Sequence, residues 1–318
     1  MAVTPAAGCV KFRPAGPGSR VALVAPASPF AHDEFDRGVA ELRRLGFDPV
    51  WDDRIFDRQT FVAGSAAARA AELQLALTRP DVDAVIAVRG GYGSLHTLDA
   101  LDPAAIRRRR TAFVGYSDLT SVHAYLGRTV GLASVHGPMI DGRLAHGTAA
   151  YDVSTFLGSL RTEPLGELSP PSLEVVRPGE ARGPLFGGTL TQLTGLLGTP
   201  FDGSPPDGHV LFIDEVHERP YRLHRLLTQW RLAGRLASAA ALVFGQLPRC
   251  DEPGGSVTAA DVVREFAEGF PGPVLLGFPS GHTTTPTTPM LSVPLGVTVR
   301  LVATGRPALV FEEAAASA

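Results

Sequence analysis

A serine, a run of carboxylates, two histidines and a glycine-rich turn sit where this sequence leaves its apolar runs. In Gly115-Tyr116-Ser117-Asp118, Ser117 follows a buried-strand pattern and precedes a helical one. A serine at the carboxyl end of a parallel strand faces the crevice where α/β proteins bind ligands. The helix start behind it offers N–H groups and a positive dipole end. That is the logic of a nucleophile elbow, although Leu119 stands where GxSxG requires its last Gly. A plain N-cap is the alternative for the same residues.

Gly90-Gly91-Tyr92-Gly93 closes another strand pattern, and its N–H groups can hold an anion or an oxyanion. An ordinary tight turn is the other reading. It is no dinucleotide fingerprint, since His96 occupies the place of the third Gly. Asp214-Glu215-Val216-His217-Glu218 ends a further strand, and its acids can orient a histidine or simply pair with Arg219, Arg222 or Arg225. Ser280-Gly281-His282 lies in the Thr- and Pro-rich loop GFPSGHTTTPTTP, without core periodicity. His136-Gly137-Pro138 follows a fifth strand pattern and can serve the same crevice. Together these supply a Ser, an acid and a His in one of the chain orders a triad takes.

The positioning elements are legible around them. Near-continuous apolar runs at 20–26, 83–89 and 111–116 read as strands buried on both faces, with shorter ones at 48–51 and 132–136. Helical stripes lie between, with Phe35, Val39 and Leu42 on one face and Gly46 as a stop. This alternation implies a doubly wound parallel sheet. The Pro-, Gly- and Glu-rich stretch 161–184 reads as a linker that holds one short strand near 173–176. Beyond it a mixed, β-rich unit is expected, with strands near 209–214, 240–245, 290–293, 297–302 and 308–311. The division is thus an N-terminal α/β domain over 1–160, a linker, and a C-terminal domain over 185–318. The cleft between them is the expected ligand site.

Composition removes other classes. The chain has 318 residues, 44% apolar and 19% charged, with a net charge of −3. It can bury a full core without staples. It carries no global positive field for nucleic acid or an anionic membrane. The Arg107–Arg110 run reads as a solvated helix end. Lys11 is the only lysine, so a P-loop is excluded and a Schiff-base lysine disfavoured. Cys9 and Cys250 cannot form a cysteine-rich zinc site, and two free thiols are the simpler reading. No signal-peptide pattern and no transmembrane stretch is present, so a cytoplasmic protein is expected.

The sequence resembles the LD-carboxypeptidase family of serine peptidases, which also holds the microcin C immunity peptidases. The resemblance rests on VALVAPAS at 21–28, RGGYGS at 89–94, GYSDLT at 115–120 and HGP at 136–138. It continues through LFGGTLTQLTGLLGTP at 185–200, LFIDEVHERPYRLHRLL at 211–227 and FPSGH at 278–282. It implies a cytoplasmic, metal-independent homodimer without a cofactor, with its active site between two domains. It implies removal of the terminal D-alanine from murein tetrapeptides. Ser117 then falls on the family's nucleophile and His282 on its base, with backbone N–H groups of Gly91 and Asp118 as the oxyanion hole.

The family's acid is usually a Glu, whereas here its position is Asp214 and Glu215 comes next. Alternate strand residues face opposite sides, so only one of them can reach His282. The register on both sides favours Asp214. Arg89 is a candidate partner for the substrate's terminal carboxylate, or a structural ion-pair residue. An immunity-type peptidase acting on a peptidyl-nucleotide is the rival within the class. A non-catalytic module binding muropeptides or a nucleotide is the rival outside it.

Overall fold

The computed structural model describes residues 9–202, 205–284 and 288–318. The first eight residues and the centre of the Thr- and Pro-rich loop lie outside the described residues. Fourteen strands make two sheets among the described residues.

The first sheet is built from β1 (Arg20–Val24), β2 (Asp48–Val50), β3 (Ala84–Ala87), β4 (Ala112–Gly115) and β5 (Ser134–His136), all parallel. Four-residue β3 and β4 are buried throughout, as their unbroken apolar runs require. Across the sheet the order is β2-β1-β3-β4-β5. The chain therefore reverses its direction of travel between β1 and β3, and right-handed crossovers then place helices on both faces. Those helices are α1 (His32–Arg44), α2 (Ala66–Thr78), α3 (Pro103–Arg109), α4 (Thr120–Tyr125) and α5 (Val153–Ser159). In α1 the stripe Phe35, Val39 and Leu42 is buried as its spacing demands. The arginine run closes α3, and Arg107 and Arg109 donate to loop carbonyls, among them Val130 and Val82.

The stretch 161–184, expected as a linker, instead enters the second sheet. It holds β6 (Gly166–Leu168), β7 (Glu174–Arg177) and the first half of β8 (Gly179–Thr189). Most of its prolines and glycines fall at strand ends and turns, with Gly183 and Pro184 inside β8, which is why composition alone reads as irregular. Then come α6 (Leu190–Gly195), β9 (His209–Asp214), α7 (Pro220–Leu232), β10 (Ala239–Gly245), α8 (Ala259–Glu268) and β11 (Val274–Phe278). Strands β8, β9, β10 and β11 run parallel, and β7 pairs antiparallel at their far edge.

The chain then crosses back. Strand β12 (Val293–Leu295) pairs antiparallel with β5 and so completes the first sheet, three residues later than the expected strand at 290–293. Finally β13 (Thr298–Ala303) and β14 (Ala308–Phe311) join the second sheet beside β8 and β6. The two sheets thus share strands from the C-terminal half, unlike a simple division at residues 160 and 185. One apolar core spans both, with Val114 and Val135 from the first sheet and Phe212 and Leu275 from the second. Cys9 and Cys250 are both free thiols. No described helix is long and apolar enough to cross a membrane.

Candidate active site

Two parallel blocks bring their carboxyl ends to one place. After β4, Tyr116 is extended and Ser117 turns to φ 64°, the left-handed region. A non-glycine residue there is uncommon and costs of order 1–3 kcal/mol, so the surrounding structure must impose it. Neither the short 3₁₀ turn over Ser117–Leu119 nor α4 behind it is closed by a side-chain cap. Ser117 is thus no N-cap; it is the half-buried corner of a strand–turn–helix. The Asp118 carboxylate does other work, accepting the Ser94 N–H at 2.8 Å. The Ser94 hydroxyl donates to the Asp118 carbonyl at 2.6 Å. These bonds lock the turn after β3 against the turn after β4.

The glycine-rich turn approaches Ser117 closely. A Cβ on Gly90 would stand 3.0 Å from the Ser117 Cβ and 3.3 Å from the Asp118 nitrogen. Gly91 is exposed at φ 96°, and a Cβ there would run into Ser28 Oγ at 2.5 Å. Only glycine fits both the angle and the space. Ser28, from the turn after β1, accepts the Tyr92 N–H at 3.0 Å and donates to the Phe61 carbonyl. Buried Arg69 ties the same loops together, donating to the carbonyls of Pro26, Gly64 and Gly93. In the sequence Ser28 appears only as the last residue of VALVAPAS with no role of its own, and Arg69 not at all, because one arginine in a helix carries no motif.

The second block brings a carboxylate and a histidine together. Asp214, at the end of β9, is fully buried. Its Oδ2 takes the His282 Nδ1–H at 2.6 Å, and its Oδ1 accepts the His282 backbone N–H at 3.2 Å. The neighbouring Gly281 lies at φ 77°, and a Cβ there would fall 2.4 Å from Asp214 Oδ2. The glycine before the histidine is therefore what lets the carboxylate reach the loop. Glu215 faces elsewhere, as alternation along a strand requires. Its Oε2 accepts the Thr191 N–H at 2.8 Å and the Thr191 hydroxyl at 2.7 Å, which anchors the start of α6. Glu218 lies 3.9 Å from Arg222, an ordinary surface pairing.

The blocks meet through rings and loops. The Tyr116 ring lies 5.2 Å from the His282 ring, one residue from Ser117. His136, at the end of β5, is fully buried and shares a 3.1 Å hydrogen bond with Ser280. Its pKa falls well below 6.5 through burial, then through the neighbouring His123 and His282, so it stays neutral. Beside Ser117 opens a cavity of about 450 Å³, walled by Gly91, Tyr116, Arg89, Asp141 and Glu34. Arg89 is half exposed there, donating to the Pro29 carbonyl at 2.8 Å with its Nε 3.5 Å from Asp141.

Comparison with known proteins decides the class. The family model for the LD-carboxypeptidase N-terminal domain matches residues 21–137, and that for the C-terminal domain matches 182–301. The chain belongs to the LD-carboxypeptidase family. It is a carboxypeptidase of a serine-peptidase family. A Streptomyces coelicolor protein assigned to the carboxypeptidases is 35% identical over 93% of this chain and 97% of its own. The murein tetrapeptide carboxypeptidase of Pseudomonas aeruginosa is 29% identical over 83% of this chain and 88% of its own. The muramoyltetrapeptide carboxypeptidase of Oxalobacter formigenes superposes with a TM-score of 0.82 at 26% identity, covering 93% of this chain and all of that one. The Escherichia coli microcin C7 self-immunity protein is 27% identical over 86% of each chain.

The electrostatics of this carboxypeptidase give a pH dependence with two opposite signs. Burial pushes the His282 pKa down, but the charge and hydrogen bond of Asp214 outweigh it and leave the pKa above 6.5. The imidazolium is thus the form that the fold favours. Its stabilisation is fully present below the unfolded pKa near 6.5 and is lost as pH rises through the higher folded value. A histidine that serves as a base must be neutral, so if His282 has that role kcat/KM should rise across that same window. A pH series of kcat/KM, beside the melting temperature of wild type and Asp214→Asn, measures both. A kcat/KM that falls as pH rises from 6 to 8 would exclude His282 as the base.

Proposed function

We propose that this carboxypeptidase releases the terminal D-alanine of murein tetrapeptides by acyl transfer through Ser117, His282 and Asp214. One observation carries the reading. The His282–Asp214 hydrogen bond and the left-handed Ser117 corner meet through the Tyr116 ring. With Nδ1–H held by Asp214, His282 keeps Nε2 free as the base. It takes the Ser117 proton as Oγ attacks the scissile carbonyl. The N–H groups of Gly91 and Asp118 receive the oxyanion. His282 then protonates the departing amine of D-alanine, and water activated by the same ring releases the acyl group. Relatives named for murein tetrapeptide and muramoyltetrapeptide cleavage support this substrate class. Cytoplasmic recycling of wall peptides by a homodimer belongs to the same reading.

A carboxypeptidase must hold the terminal carboxylate of its substrate, and Arg89 on the cavity wall is the cation for it. Arg89→Met should raise KM about tenfold, the worth of one charged hydrogen bond at a partly exposed site, with a smaller change in kcat. An unchanged KM would return Arg89 to the role of an ion-pair residue. The defining experiment is incubation with a murein tetrapeptide and with an aminoacyl-sulfamoyl nucleotide, followed by mass spectrometry. Loss of one alanine from the tetrapeptide is the expected result. Cleavage of the nucleotide alone would move the function to the immunity class, and cleavage of neither would overturn it.

A further inference from the structure

Arg143 follows β5, a few residues beyond His136-Gly137-Pro138, and belongs to none of the motifs above. Its side chain is buried, with 9% of the residue exposed. A guanidinium in such a place must find partners for its donors. Two of them reach across to the histidine loop. Nη2 donates to the Gly281 carbonyl at 2.8 Å and Nη1 to the Thr283 hydroxyl at 3.1 Å, on either side of His282. A third bond from Nη1 to the Ala150 carbonyl, at 3.0 Å, fixes the fork to its own side of the molecule. The guanidinium carbon stands 5.9 Å from the centre of the Tyr116 ring, the same ring that packs on His282. These hydrogen bonds go to carbonyl and hydroxyl oxygens rather than a carboxylate, which sets a positive charge beside the imidazole, opposite the negative charge of Asp214.

We infer that Arg143 is a positioning residue for His282, holding its loop by both flanks and opposing the pull of Asp214 on its proton. This rests on the reading of His282 as the base. The charged and titratable groups around the ring are Asp214 at the end of β9, Glu215 next to it with its carboxylate turned to Thr191, Tyr116 after β4, His136 from β5, and Arg143. Asp214 and Glu215 favour the imidazolium, and Arg143 disfavours it. The planar fork explains why the residue is an arginine. A lysine ammonium can replace the charge but cannot span Gly281 and Thr283 in one plane.

The two parts of the inference separate in two variants. Arg143→Gln should lower kcat about 100-fold, the scale of a small misplacement of a catalytic group, with KM nearly unchanged. It should also move the acid limb of the pH profile upward by about half a unit or more, because the opposing charge is gone. Arg143→Lys should leave that limb at its wild-type position while kcat still falls about tenfold. Wild-type release of D-alanine tests the functional reading; the ratio of variant to wild type tests Arg143. Should the chain release no D-alanine, titration of the His282 ring by NMR decides for Arg143 alone, with an upward shift expected in Arg143→Gln. A folded Arg143→Lys with wild-type kcat, or an Arg143→Gln whose limb or ring titration does not move, overturns the inference. If Arg143→Gln does not fold, the kcat of Arg143→Lys carries the test.

Discussion

Ser117→Ala should abolish turnover while the protein keeps its fold and still binds its substrate. Removing a serine nucleophile costs on the order of 10⁶ in kcat where the mechanism is acyl transfer. The corner itself explains why the fold should survive. Asp118 and Ser94 hold the turn through bonds that do not involve the Ser117 hydroxyl. Alanine at φ 64° carries the same backbone strain as serine, so stability should change little. Calorimetric titration with the intact tetrapeptide should then give a binding isotherm without hydrolysis. A variant with a tenth of wild-type activity would mean that another group attacks the carbonyl.

The second large effect separates two adjacent carboxylates. Asp214→Asn keeps the volume but leaves an amide that can turn its N–H₂ toward the imidazole. His282 would then sit in the wrong tautomer, and kcat should fall by about 10⁴. Glu215→Gln should spare kcat within a few-fold and show up in stability instead. Its carboxylate serves Thr191 at the start of α6, and weakening such an anchor costs about 1 kcal/mol. Asp214→Glu keeps the charge, but the extra methylene enters a site with no exposed surface. Partial activity is expected, with about 1–3 kcal/mol lost to overpacking. A dead Glu215→Gln beside a near-normal Asp214→Asn would exchange the two roles.

The contrast between these acids shows how far a sequence speaks. The chain reveals that only one of the pair can face the histidine, since strand alternation is local physics. It does not say which hydrogen bonds each will make; Thr191 and His282 arrive from elsewhere in the chain. The buried runs of β1, β3 and β4 are equally plain, because a strand covered on both faces can be apolar throughout. Strand β6 is hidden by the opposite circumstance, and β7 shows only as the one short run near 173–176. They lie at sheet edges, where exposed Glu and Pro are tolerated and pattern is weak. Strand β11 lies between Pro273 and Pro279, and its five residues are too few to separate from a buried turn. Arg143 is the furthest from legibility. Its acceptors are carbonyl and hydroxyl oxygens, and no residue pattern announces where a backbone carbonyl will be.

The return of β12 to the first sheet has a mechanical consequence. His282 rides on the stretch of chain that leaves the second sheet at β11 and enters the first at β12. His282 is held from both sides, by Asp214 at the end of β9 in the second sheet and by the Tyr116 ring after β4 in the first. A movement that parted the sheets would have to break one of those two contacts, so the place of the histidine is set by how the two sheets sit against each other.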